Sequence, residues 1–300
     1  MSHAVAVVTD STAYLDPAET ERLGITVVPL QVVVGGRTLD DVVQIDAEAV
    51  AKALRAWSPV STSGPSPQRF MDAYERAAAR GATDVVSVHL SGKMSGTADS
   101  ARIAARESVI PVEIVDSGSL AMGLGFPVLA AVDAARRGAR RTEVAAAARA
   151  CAQATKTFFY VDTLEHLRRS GRLGSAAGLL GSALSVKPLL HISDGTIVPL
   201  EKVRTSGRAI ARLEELAVRA AGDAPVDVAV HHLVAPGRAA TLAEHLAERI
   251  PGLVRLRVAQ VGAVVGVHAG PGMLGVTITP SLPEMPLDAQ SEPGSAPRAH

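Results

Sequence analysis

The chain has 300 residues, of which 47% are hydrophobic, so it can bury a core large enough for one big domain or two smaller ones. Its 30 basic residues balance 30 acidic ones, and no run of Lys and Arg stands out. This balance argues against a nucleic-acid-binding protein, which carries a basic surplus on some face, and predicts that any anion site is local.

The first half of the chain alternates strand and helix patterns. Helices are predicted from Asp16-Pro17 onward and then at residues 46–56, 67–80 (capped by Ser66), 97–106 and 122–137. Short apolar, β-branched runs predict strands at residues 4–9, 25–34 (ended by Gly35-Gly36), 85–89 and 112–115. Strands separated by helices predict a parallel sheet that is covered on both faces.

The alternation of predicted strands and helices changes after a long Ala- and Arg-rich helix predicted at residues 142–155. Amphipathic helices are predicted at residues 206–221 and 236–249, and Asp194-Gly195 is typical of a hairpin turn. Further strands are predicted at residues 158–161, 186–192, 197–203, 226–232, 254–258 and 273–279.

This change in the order of predicted elements indicates two domains, and the composition of the last residues indicates a tail. We expect an N-terminal α/β/α domain with a parallel sheet at residues 1–155 and a smaller C-terminal α+β domain at residues 156–281. Residues 282–300 are rich in Pro, Ser, Glu and Ala, a composition that predicts a disordered tail.

The sequence indicates a cytoplasmic location. A strand-like run begins at residue 4 with no basic and apolar leader before it, and no apolar stretch reaches about 18 residues. We therefore expect a cytoplasmic protein without stable membrane insertion. The lone Cys151 cannot form an internal disulfide and is interpreted as a buried packing residue.

Polar, Gly-rich loops follow the predicted strands of the first half, at residues 9–12, 61–67, 90–97 and 116–119. Ligands of parallel α/β sheets bind beyond the carboxyl ends of the strands, where hydroxyls and helix N-termini hold anions. Each hydroxyl could instead serve only as a helix cap or a turn residue. Several such loops at one sheet edge favour a ligand site.

Motifs of common enzymes are missing from the sequence. It contains no G-x-x-x-x-G-K-[ST], no H-E-x-x-H, no G-x-S-x-G and no Cys/His metal spacing, so we predict no cofactor and no metal. Residues 270–275 match G-x-G-x-x-G but precede a strand-like run, which argues against a dinucleotide site. His268 lies in a predicted tight turn, where a structural role is also open.

Several short motifs, taken in order over residues 4–281, resemble the DegV family. The resemblance implies a two-domain carrier that encloses a long-chain fatty acid between its domains and does no chemistry on it alone. It also implies a partner, a fatty-acid kinase that phosphorylates the bound carboxylate. The motifs are Thr9-Asp10-Ser11, Thr62-Ser63-x-Pro65-Ser66, Lys93-Met94-Ser95-Gly96-Thr97, Asp116-Ser117, Leu164-x-x-Leu167, Ser170-Gly171-Arg172, Lys187-Pro188, Val203-Arg204-Thr205 and His268-x-Gly270-Pro271-Gly272.

The resemblance also implies which residues hold the ligand. Thr62 and Ser95 match the hydroxyls that bind the carboxylate, and Ser63 lies beside Thr62. His268 matches the histidine of the same hydrogen-bond network, and Arg172 matches the arginine next to it.

The resemblance further implies a kinase-binding residue, Arg204. Two positions depart from the family pattern. Gly64 stands where Gln is common, and Ser206-Gly207-Arg208 replaces the basic run that usually follows Arg204-Thr205. The second departure bears on kinase docking and leaves the lipid site intact.

Two other interpretations stay open. The chain could be a hydrolase or phosphotransferase that uses Ser95 and His268, although no residue that would orient His268 is recognisable in the sequence. It could also be a signalling module whose ligand is another amphiphile. Mass spectrometry of the ligand that accompanies the purified protein distinguishes these interpretations from a fatty-acid carrier.

Overall fold

The computed structural model of the protein describes residues 4–173 and 186–281. The predicted tail and residues 174–185, which are mostly small and apolar, lie outside the described residues. The helices are α1 (Pro17–Leu23), α2 (Ala47–Arg55), α3 (Pro67–Ala79), α4 (Thr97–Glu107), α5 (Met122–Arg136), α6 (Arg141–Ala154), α7 (Glu165–Arg169), α8 (Ser206–Ala221), α9 (Pro236–Arg249) and α10 (Ala263–Ala269).

The strands form three sheets. They are β1 (Val5–Asp10), β2 (Thr26–Val28), β3 (Gln31–Val34), β4 (Arg37–Asp40), β5 (Val60–Ser63), β6 (Asp84–His89), β7 (Val112–Asp116), β8 (Lys156–Tyr160), β9 (Lys187–Ser193), β10 (Thr196–Val203), β11 (Val226–His232), β12 (Leu253–Gln260) and β13 (Leu274–Pro280).

The first sheet is parallel, in the order β2-β1-β6-β7, which confirms the predicted fold of the N-terminal half. Its strands are apolar on both faces because both faces are covered. Val8 and Val85 pack in one core with α3 and α4. Val7 and Val86 pack on the opposite side, where α5 and α6 lie.

The prediction of one strand at residues 25–34 is wrong. β2 pairs with β1 in the parallel sheet, whereas β3 joins an antiparallel sheet in the order β4-β3-β5. Pro29 lies between the two strands, and a proline cannot donate to a ladder. The predicted turn at Gly35-Gly36 is confirmed, since both glycines have positive φ and join β3 to β4.

The C-terminal half is an α+β layer, as predicted. Its six strands follow the order β10-β9-β8-β13-β11-β12, with only β11 and β12 parallel. Helices α8 and α9 pack on one face of this sheet. The hairpin at Asp194-Gly195 is confirmed, because both residues have positive φ and β9 pairs with β10. The exact domain limits at residues 155 and 281 stay predictions.

Helix α10 belongs to the second half of the chain but packs against α2, β3 and β5 of the first. His268 lies in the last turn of this helix, so its predicted place in a tight turn is wrong. The helix ends at Ala269, and the chain turns at Gly270, which has φ +77°. Local sequence did not reveal a helix of only seven residues. Within the described ranges, every helix falls short of the length and apolarity needed to cross a membrane.

Candidate ligand-binding site

A partly enclosed cavity lies between the two halves of the chain. Its walls are mostly apolar. They come from the parallel sheet's loops, from the six-stranded sheet and from α10, and include Leu30, Leu90, Leu120, Phe159, Val265 and Met273. All five predicted ligand residues also line it: Thr62, Ser63, Ser95, Arg172 and His268.

Thr62 and His268 meet although 206 residues separate them in the sequence. The Thr62 hydroxyl Oγ1 lies 2.8 Å from His268 Nε2. Thr62 lies on β5 of the antiparallel sheet, so its predicted place beyond a strand of the parallel sheet is wrong. The packing of α10 against β5 brings the two side chains together.

His268 is neutral in the unliganded protein. Burial, with a smaller effect of the Arg172 charge, lowers the pKa of His268 to about 4. Its second ring nitrogen, Nδ1, is buried and has no hydrogen-bond partner among the described residues. Buried polar atoms are nearly always paired, so an exception indicates a position that is completed by a ligand or a water.

Ser95 lies just before α4, whose N-terminal backbone N–H groups favour an anion. Its hydroxyl is 2.8 Å from that of Thr97, and it accepts a bond from the Thr97 N–H. Gly64 explains how β5 approaches this helix so closely. A side-chain carbon at Gly64 would lie 3.2 Å from Thr97 Oγ1, tighter than most contacts allow.

The other predicted residues are placed as follows. Arg172 donates to the carbonyl oxygens of Met94 (3.4 Å) and Ser170 (2.5 Å) at the edge of the cavity. Ser63 lines the cavity, but its hydroxyl donates to Gln31 Oε1 at 3.3 Å on the exposed side of β5. Arg204 is exposed between β10 and α8, and its guanidinium has no partner among the described residues.

A buried carboxylate that the sequence did not single out holds α10 in place. Asp41 accepts hydrogen bonds from the Ser11 hydroxyl (3.0 Å) and from the Val264 N–H (3.3 Å) at the start of the helix. Tyr14 adds a second link, since its hydroxyl accepts from the Val265 N–H. Burial raises the pKa of Asp41 to about 6. The only sequence signal was an acidic residue next to the apolar Val42-Val43.

The motif Thr9-Asp10-Ser11 builds a buried network inside the parallel sheet. Asp10 Oδ2 lies 3.1 Å from His89 Nδ1, and His89 Nε2 lies 2.7 Å from the Ser87 hydroxyl. Asp10 also accepts from the Leu90 N–H, which fixes the loop that follows β6. This Ser-His-Asp arrangement resembles a catalytic triad. All three residues are 0% exposed, so substrate cannot reach them in this structure.

A hairpin of the C-terminal half closes over the loops of the N-terminal sheet. The Ser91 hydroxyl donates to the Gly195 carbonyl at 2.6 Å. Gly195 has φ +73°, and a side-chain carbon there would lie 2.7 Å from the Ser91 hydroxyl. The Asp194-Gly195 turn therefore serves the contact between the two halves as well as the hairpin itself.

A second depression adjoins the cavity and shares Thr62, Arg172 and His268 with it. It is lined on its outer side by Trp57, which is 72% exposed, and by Arg169. The Arg169 guanidinium lies 5.9 Å from the centre of the Trp57 ring, within cation–π range. The polar end of the cavity thus separates an apolar interior from a depression at the surface.

The Ser95–His268 pair of the enzyme interpretation is not assembled in the described part of the chain. His268 Nε2 contacts Thr62, and Ser95 contacts Thr97. Residues 270–275 lead into β13, as predicted, and do not open a helix. The described ranges also contain no cluster of three or more His, Cys, Asp or Glu side chains that could hold a metal ion.

Comparison with known proteins agrees with this architecture over nearly the whole chain. A DegV domain-containing protein from Streptomyces coelicolor is 54% identical over 279 residues, covering 93% of this chain and 99% of that protein. The fatty-acid-binding DegV family protein of Thermus thermophilus has a TM-score of 0.87 at 32% identity and covers 93% of this chain and 100% of its own.

A third relative is DegV of Bacillus subtilis, whose crystal structure is described as that of a fatty acid binding protein. It has a TM-score of 0.86 at 33% identity, with 93% of this chain and 100% of its own covered. The model of the DegV family matches residues 4–281, the range over which the ordered motifs lie. The chain therefore belongs to the DegV family.

Proposed function

We propose that this protein binds a long-chain fatty acid by its carboxylate and presents it to a fatty-acid kinase for acyl-phosphate formation. The observation that carries the proposal is the mostly apolar cavity whose polar end is the Thr62–His268 pair. Relatives with 32% and 33% identity and nearly complete coverage are described as fatty acid binding proteins, which supports the same ligand class here.

The polar end can offer hydrogen-bond donors without a fixed charge pair. When His268 carries its proton on Nε2, it donates to Thr62 Oγ1, and the Thr62 hydroxyl proton is free to donate to a carboxylate oxygen. Ser95 can turn its hydroxyl proton in the same way, since either Ser95 or Thr97 can act as donor in their contact. We expect a carboxylate ligand to select this arrangement.

The free energies agree with this division of roles. Burying about 14 methylenes at ~0.8 kcal/mol each contributes roughly 11 kcal/mol gross, so the acyl tail can supply the affinity. Removing a carboxylate from water costs several kcal/mol unless donors replace its hydration. Thr62 and Ser95 supply such donors, His268 orients the Thr62 hydroxyl, and Arg172 adds a positive charge nearby.

Native mass spectrometry of the purified, full-length protein tests the lipid part of the proposal. We expect a mass that exceeds that of the polypeptide by one fatty acid, released on denaturation and identifiable in the organic extract. Delipidated protein should take up added fatty acid in a 1:1 ratio. Only the unliganded mass after incubation with fatty acids of several lengths would contradict the proposal.

Two observations support presentation to a kinase. The depression next to the cavity reaches Thr62, Arg172 and His268 from the surface, so a phosphoryl donor could approach the carboxylate while the tail stays buried. Arg204 is exposed, and no described residue neutralises it, whereas Arg212 further along α8 is paired with Glu201.

The kinase role of Arg204 is tested by acyl-phosphate formation with a fatty-acid kinase and ATP. Arg204→Ala should leave lipid affinity within about twofold and reduce acyl-phosphate formation at least tenfold, because one charge-assisted contact is worth roughly 1.5–3 kcal/mol. Arg204→Lys should restore only part of the rate. Arg208→Ala, which removes another exposed arginine of α8, is the matched control. Poor lipid binding by Arg204→Ala with normal phosphorylation at saturation would refute the assignment.

A further inference from the structure

The inner wall of the cavity carries a histidine that the carboxylate site does not use. His231 is only 1% exposed and lines the cavity together with Phe159 and Gly275. The strand pairing places these three residues in one row across β11, β13 and β8, since His231 faces Gly275 and Gly275 faces Phe159. Gly275 has no side chain, so no side chain of β13 stands between His231 and Phe159 on this row.

The hydrogen bond that His231 makes fixes where its proton lies. The backbone N–H of Met122 donates to His231 Nε2 at 3.2 Å, so Nε2 is an acceptor and the proton of the neutral ring is on Nδ1. Burial, with a smaller effect of the neighbouring His232, lowers the pKa of His231 to about 4, so the ring is neutral at physiological pH.

The Nδ1–H donor has no hydrogen-bond partner among the described residues, in which the one bond to this ring comes from the Met122 N–H. Unlike the Nδ1 of His268, the unpaired Nδ1 of His231 is not fully sealed from open space. The hydroxyls of Thr157 and Thr277 lie 3.1 Å apart and bond to one another, and neither forms a hydrogen bond with His231. The donor therefore meets the interior of the cavity.

We propose that His231 is a specificity-determining residue, whose Nδ1–H donates a hydrogen bond to an oxygen substituent, a hydroxyl or oxo group, on the acyl chain. This inference rests on the proposed fatty-acid function and names the ligand class more closely. An unsubstituted tail packed against the ring would leave the donor unpaired, which is unfavourable. A chain oxygen at that position satisfies it.

Competition between matched ligands tests the inference. Delipidated protein is offered equal amounts of a saturated fatty acid and of one member of a positional series of its hydroxylated and oxo derivatives, and bound ratios are read by native mass spectrometry. We expect at least one derivative to bind about fivefold to tenfold better than the plain acid, the effect of one net hydrogen bond.

Two variants assign that preference to His231. His231→Phe removes the donor and should bring the ratio of the preferred derivative to the plain acid down to about one or below. His231→Gln can still accept from the Met122 N–H and donate into the cavity, so it should keep most of the preference. The ratio of the two bound ligands is insensitive to a general loss of folding, because unfolding lowers the binding of both ligands equally.

The outcomes separate the two proposals. If neither plain nor oxygenated acids bind the wild-type protein, the fatty-acid function itself fails. If the plain acid binds and no derivative outcompetes it, a water or nothing satisfies His231, and only this inference is overturned. A preference that persists in His231→Phe would likewise overturn it, because another residue would then be the donor.

Discussion

Two buried histidines, His89 and His268, show how this fold separates structure from ligand binding. Each has a hydroxyl partner on Nε2, Ser87 at 2.7 Å in one case and Thr62 at 2.8 Å in the other. They differ at Nδ1. His89 contacts the Asp10 carboxylate there, whereas the Nδ1 of His268 is buried without a described partner.

The difference follows from where each ring lies. His89 ends a central strand of the parallel sheet, where every polar group must be paired within the protein because no ligand or solvent reaches it. His268 lies at the last turn of α10, on the wall of the cavity. A hydrogen-bond network that is complete stabilises the fold, and one that is incomplete is available to a ligand.

The largest expected effect comes from breaking the complete network. Asp10→Ala leaves His89, the Leu90 N–H and Thr12 without their shared acceptor. We expect the free energy of unfolding to fall by about 3–5 kcal/mol, measured by urea denaturation. Asp46→Ala, which removes an exposed cap of α2, is the control and should lose only about 1 kcal/mol. Equal losses would show that the network contributes no more than a helix cap.

Acidification should act in part through the incomplete network. The folded-state pKa of His268, about 4, lies below its ordinary value of 6.5, so the unfolded chain binds a proton first. The stability contribution of neutral His268 is complete above pH 6.5 and is lost as pH falls towards 4, by up to about 3 kcal/mol. His231 has a similarly lowered pKa and acts in the same direction, whereas Asp41, whose pKa is raised to about 6, acts in the opposite direction.

Denaturation of the unliganded protein at several pH values between 7 and 4 checks this dependence. His268→Gln should flatten the profile, since the remaining slope then comes from His231 and other groups. A bound carboxylate next to His268 should raise the pKa of the ring, so ligand binding near pH 5 should take up protons. Calorimetry in buffers of different ionisation enthalpy measures that uptake, which should be smaller in His268→Gln.

A matched pair of hydroxyl deletions compares the two networks directly. Thr62→Val should weaken binding of a free fatty acid by about 1–3 kcal/mol and change binding of its methyl ester much less, because only the ionised head needs the donor. Ser87→Ala should instead lower unfolding free energy by a similar amount and leave affinity unchanged. Equal losses for acid and ester in Thr62→Val would show that this hydroxyl does not face the carboxylate.

The smallest effect is expected at the neighbouring hydroxyl. Ser63→Ala should change fatty-acid affinity by less than about twofold, because the Ser63 hydroxyl donates to Gln31 on the exposed side of β5 and its loss leaves no buried group unpaired. Isothermal titration of the delipidated variant measures this. A loss as large as that of Thr62→Val would place Ser63 in the carboxylate site.

Local pattern in the sequence was enough to predict most of the elements. The hairpin at Asp194-Gly195, the parallel sheet of the first half and the helix at Pro17 all follow from turn chemistry, apolar runs and capping residues that act over a few positions. The ordered motifs were likewise enough to indicate the family. These features are encoded by neighbours along the chain, which is why a single sequence reveals them.

The pairing of residues distant in sequence was decided by tertiary structure alone. An apolar run such as residues 25–34 looks the same whether it forms one strand or supplies two sheets, and only packing directed β3 to β5. Thr62 and His268 come from a strand and a helix that local pattern did not join. His231 was one polar residue within a buried strand, and only the cavity beside it distinguished an unpaired donor from a core residue. Local sequence limits the conformation of each segment, whereas the contacts that complete or leave open a polar network depend on the whole fold.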